Sequence, residues 1–88
     1  MKVFPVLNEY GKVVKNQYSF THKGSRYFQS YDNIVACVDR SNGAIILDEN
    51  HYDDSKTTAK YRNLFLNMST SKMKGGIEDG SITLGNLN

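Results

Sequence analysis

Apolar residues change rhythm once along the 88-residue chain, from strand-like alternation in the first half to a helical spacing after Asp54. Lys2 to Leu7 is a β-favouring run interrupted by Pro5, and a residue with no N–H to give a ladder belongs on an edge strand. Asn8-Glu9-Tyr10-Gly11 reads as a turn. From Lys12 to Thr21, Tyr18 and Phe20 alternate with Ser19 and Thr21, which places both aromatics on one face of a strand. His22-Lys23-Gly24-Ser25 closes a hairpin whose return strand is Arg26 to Tyr31. Past Asp32-Asn33, the run Ile34 to Val38 reads as a buried strand. Asn42-Gly43 offers the two positive-φ residues of a type I′ turn, which pairs strand 34–39 with strand 44–48.

The helix begins after the acidic stretch Asp48 to Asp54, with Asp54 or Ser55 as the residue that caps its free N–H groups. Tyr61, Leu64, Phe65 and Met68 then recur at i, i+3, i+4 and i+7, with Thr57 one turn earlier, and this face is expected on the sheet. Ala59 and Leu66 fall nearly opposite and form a candidate seam for self-association, so a homodimer is one expectation. After Met68 the composition turns to Ser, Thr, Lys and Gly, and Lys72-Met73-Lys74-Gly75-Gly76 reads as a linker. Ser81-Ile82-Thr83-Leu84 has the composition of a short added strand between Gly80 and Gly85. The expected architecture is α+β: a four- or five-stranded antiparallel sheet of hairpins with one amphipathic helix. Its single domain covers 1–68, followed by a flexible or partly ordered tail over 69–88.

Composition adds limits. At 39% hydrophobic and 11% aromatic residues the chain carries enough apolar surface to fold, but a core this size stabilises by only a few kcal/mol. The single cysteine, Cys37, lies in an apolar run and reads as a small buried hydrophobe in a reducing setting. The apolar runs fall far short of the roughly 20 residues a membrane span requires, so no membrane association is expected. The net charge of +2 conceals three zones: residues 2–26 are basic, 32–54 strongly acidic and 56–74 basic without a single acid.

Phe28, Ser30-Tyr31 and Val35-Ala36, followed by Tyr52, Ser55, Thr57-Thr58, Lys60-Tyr61 and Phe65-Leu66, resemble a family of small bacteriophage and prophage proteins with no agreed activity. Its members carry a Ser-Tyr-Asn-Thr-x-Ile-Ala strand and a Tyr-Ser-x-Thr-Thr-x-Lys-His helix start. The resemblance covers roughly residues 25 to 67, and Ser55-x-Thr57-Thr58-x-Lys60 is its most specific part. Asn33 stands for the usual Thr, Asp54 for a frequent aromatic and Tyr61 for the common His. The resemblance implies a phage origin, a β-rich sheet with one helix, and the cytoplasm of an infected bacterial host. By analogy with phage accessory proteins of this size, it implies binding to a host protein, with an anti-CRISPR-like inhibitor of a defence nuclease as the leading expectation.

Candidate chemistry is therefore binding. Lys56, Lys60 and Arg62 with Asp48, Glu49, Asp53 and Asp54 are the candidate contacts to a protein partner, against the alternative that acidic loop and basic helix simply compensate each other. Lys15, Lys23, Arg26, Tyr27, Lys72 and Lys74 are candidates for nucleic acid, since basic residues interleaved with aromatics suit stacking on single strands. Core packing of the same aromatics is the favoured alternative, because few other large groups are available to fill the interior. Ser55, Thr57 and Thr58 read as a capped helix start before an anion site. The acidic loop lacks the EF-hand spacing, Cys37, His22 and His51 share no nucleophile signature, and the glycines lack P-loop order. Neither an enzyme nor a cofactor or metal is expected.

Overall fold

The computed structural model describes residues 3–88; Lys2, at which the first strand was expected to begin, lies outside them. The elements are β1 (Val3–Leu7), β2 (Val13–His22), β3 (Ser25–Ser30), β4 (Asn33–Asp39), β5 (Ile45–Asp48), α1 (Lys56–Leu66), α2 (Thr70–Asp79) and β6 (Ile82–Gly85). They form one six-stranded sheet in the order β1-β2-β3-β4-β5-β6. The first five strands are an antiparallel meander, and β6 runs parallel to β5. A parallel partner needs a crossover, which α1 and α2 supply. The fold is α+β as expected, with more strands and one more helix than the sequence pattern indicated.

One hairpin turn lies where the sequence places it, and the other takes a different form. Lys23 and Gly24 both have positive φ, 50° and 81°, between the paired residues His22 and Ser25, so the tight two-residue turn sits there. At the Asn-Gly pair only Gly43 is left-handed, with φ 72°. The loop is longer because Asp39 organises it: its carboxylate accepts from the Ser41 N–H at 2.8 Å and hydroxyl at 2.7 Å, while its carbonyl accepts from the Gly43 N–H at 2.7 Å. A dipeptide favours a turn type, but a neighbouring carboxylate can choose the loop length. Pro5 does occupy an edge strand, β1.

Directly opposed residues share a sheet face, so the register divides the sheet cleanly. Phe28 lies opposite Ser19 and Ala36, and Ala36 opposite Leu47; this side carries the core and the helices. On α1 the inward residues are Thr58, Tyr61, Arg62 and Leu66, with Phe65 stacked 5.7 Å from Phe28. That corrects the expected face in two respects: Thr57 and Leu64 point outward and Leu66 inward. The rotation is hidden from hydropathy because two of the inward residues, Thr58 and Arg62, are polar.

The segment from Ser69 onward, expected as a tail, is part of the domain. Ser69 caps α2 by accepting from the Lys72 N–H at 3.1 Å, and Gly80 closes it with φ 85°. Met73 and Ile82 are buried in the core. Gly76, the last residue of the supposed linker, is a contact glycine: a Cβ there would lie 2.7 Å from Ile82 Cδ1. Beyond β6, the Asn88 amide pairs with the backbone of Ile34, giving at 2.9 Å and accepting at 2.7 Å. It seals the part of β4 that β5 is too short to reach.

Candidate functional site

Two of the charged residues proposed as surface contacts are consumed inside the fold. Arg62 is completely buried: its guanidinium donates to the Tyr52 carbonyl, to Asn63 Oδ1 at 2.9 Å and more distantly, at 3.4 Å, to Asp53 Oδ1 and Thr70 Oγ1. It ties the acidic loop to both helices, a task for a rigid fork of five donors. Asp48 is also buried, accepting from the N–H groups of Leu87 at 2.8 Å and Asn50 at 3.2 Å. Burial pushes its carboxyl pKa up, but the Leu87 and Asn50 N–H groups and the Asn88 side chain outweigh that and hold it below the ordinary 3.8. Arg62 and Asp48 are therefore removed from the set of partner contacts. Asp53 faces solvent against Arg62, and Asp54 accepts or shares a bond with His51 Nδ1 at 2.8 Å. Glu49 and Lys56 are exposed.

Of the helix-start hydroxyls, Thr58 is buried, while Ser55 and Thr57 are exposed. Ser55 Oγ accepts from the Thr58 N–H at 3.1 Å, and Thr58 Oγ1 lies 2.8 Å from Ser30 Oγ across the helix–sheet contact. This explains the Ser-x-Thr-Thr spacing as a cap joined to a buried hydroxyl pair. Next to Ser30 on β2, Gln17 is fully buried, and neither atom of its amide has a partner among the described residues.

The candidate nucleic-acid residues are split between the two sides of the sheet. Tyr27 stacks on Phe20 at 5.1 Å on the face away from the helices, opposite Cys37. Arg26 projects to the helix side, its guanidinium 4.8 Å over the Phe65 ring. Lys15 is exposed on β2, Lys23 sits in the β2–β3 turn, and Lys72 and Lys74 lie on the outer surface of α2. The aromatic hairpin and the basic helices thus do not share one surface. Leu66 is buried and Ala59 half-buried, so the proposed seam is also corrected: Leu66 belongs to the core.

What the structure does bring together is a groove of about 260 Å³ between β1 and α1, lined by Val6, Leu7, Arg26, Tyr61, Leu64 and Phe65 among others. Leu7 and Leu64 are 53% and 59% exposed, and beside them Phe4, on the same face through its pairing with Ser19, is 57% exposed. Arg26 borders the groove and Lys60 extends over its Tyr61 wall, Nζ 5.3 Å from the ring; no carboxylate lines it. The groove is apolar with cationic margins. Sequence reasoning named Lys60 and Arg26 but missed the apolar part, because Leu64 carries the same helical periodicity as a core residue.

Residues 1–81 match a family of unknown function, DUF8033. The chain belongs to that family. No curated protein and no solved structure matches it. Among the described residues of this DUF8033 protein, no helix is long and apolar enough to cross a membrane.

Proposed function

We propose that this DUF8033 protein is a non-enzymatic accessory protein that acts by binding another protein through the groove between β1 and α1. The observation that carries the reading is that Leu7 and Leu64, each more than half exposed, line a concave site together with Val6, Tyr61 and Phe65. Exposed apolar residues scattered singly need no explanation, whereas a contiguous group beside a groove marks an interaction site. Arg26 and Lys60 at its margin favour a partner segment that combines apolar and acidic side chains. The phage-type resemblance makes the cytoplasm of an infected bacterium the setting and a host defence nuclease the partner class, with inhibition by occlusion as the mode of action.

Capture of partners from nuclease-treated bacterial lysate tests this. Wild-type protein is expected to retain a stoichiometric host protein that Leu64→Lys loses. Retention of nucleic acid alone, abolished by nuclease, would contradict it and favour a nucleic-acid module.

A further inference from the structure

We propose that the helix-free face of the sheet is the interface of a face-to-face homodimer. Five pairings join Val3, Phe20, Tyr27, Cys37, Ile46 and Thr83 into one rung that crosses all six strands. A second rung, Pro5, Tyr18, Gln29 and Ile34, runs beside it. Neither rung contains a charged side chain. Both helices pack on the opposite side, through Phe28, Ser30 and Ile82, so neither helix covers these residues.

The occupant follows from charge. A basic or acidic partner finds no counter-charge within the two rungs, and would have to bury its own charges unpaired. An identical uncharged surface meets no such cost. The rim is polar, as interfaces require: the rung nearest the turns is His22, Ser25 and Asp39, with Lys23 and Arg40 beyond it, and at the other end Asp32 borders Val3, Tyr18 and Gln29, with Lys15 further out. Lys15 and Lys23 are about 27 Å apart at ~3.4 Å per residue, so they provide no continuous track for a phosphate backbone. Two sheets packed about 10 Å apart in this way make a β-sandwich with helices on both outer sides.

Area sets the strength. Strands spaced ~4.8 Å apart across two rungs and their margins present on the order of 500 Å² per copy. The total of about 1,000 Å² is at the lower limit for a specific interface, so the dimer forms with concentration instead of being permanent.

Sedimentation of purified protein over a concentration series tests this independently of the groove. The mass is expected to rise from 10.0 kDa towards twice that value as concentration increases. Val3→Lys, at a position 52% exposed and so harmless to folding, is expected to keep the protein monomeric, and Phe20→Glu to do the same. Leu64→Lys is expected to leave dimerisation intact. A mass that stays monomeric throughout, dimerisation lost in Leu64→Lys but kept in Val3→Lys, or binding of single-stranded DNA blocked by Val3→Lys without any dimer would each overturn the proposal.

Discussion

Adjacent residues with identical side chains have opposite roles in α2. A Cβ at Gly75 would meet nothing within 4 Å, whereas one at Gly76 would collide with buried Ile82 at 2.7 Å and 2.9 Å. Gly75→Ala is therefore expected to stabilise by up to about 1 kcal/mol through helix propensity. Gly76→Ala gains the same propensity but overpacks the contact, at a cost of roughly 1–3 kcal/mol, so a net loss is expected; thermal melts of the two variants should move in opposite directions. Asp48 provides a pH prediction. Its folded-state carboxyl titrates below the ordinary 3.8, so its contribution to stability is fully present above that value and is lost as pH falls through the lower folded-state value. Asp39 and Asp79, held down chiefly by Ser41 and Ser81, act in the same direction from exposed positions. Denaturant titrations between pH 6 and pH 3 should show stability falling at the acid end, with a shallower fall in Asp48→Asn. An unchanged slope in that variant would remove Asp48 from the account.

At the level of elements, the sequence pattern made the hairpins legible and the helices less so. Alternation at Tyr18 to Thr21 and the apolar run at Ile34 to Val38 identified β2 and β4, because strand burial follows hydropathy with a period of two. Hydropathy misplaces the inward face of α1 because Arg62 is accommodated by four polar partners, its neighbour Asn63 together with Tyr52, Asp53 and Thr70 from the flanking segments, a condition only the fold creates. The paired glycines within α2 read as a linker, which hides the cap at Ser69 and the stop at Gly80. Loss of α1 packing should therefore track Leu66 and not Leu64. Leu66→Ala is expected to cost about 2–4 kcal/mol, while Leu64→Ala, with its side chain already in water, stays within about 0.5 kcal/mol of wild type. Equal losses in urea unfolding would return Leu64 to the core and remove the main apolar wall of the groove.

For the whole molecule, one residue of each charge zone, Asp48 of the acidic and Arg62 of the second basic one, is built into the interior. Asp48 and Arg62 hold the acidic loop, the basic helices and the C-terminal strand together, leaving two apolar surfaces on opposite sides of the sheet. One is a cation-edged groove suited to a foreign protein; the other is an uncharged face suited to a second copy. The aromatic hairpin was visible in the sequence, but its direction was not, since alternation does not say which face the helices will cover. Site-specific photo-crosslinking in bacteria expressing the protein separates the surfaces directly. A crosslinking residue at position 64 is expected to yield an adduct with a different protein, and one at position 3 an adduct of two copies. Only self-adducts from position 64, or no adduct there while position 3 captures the foreign protein, would contradict the groove as the site of function.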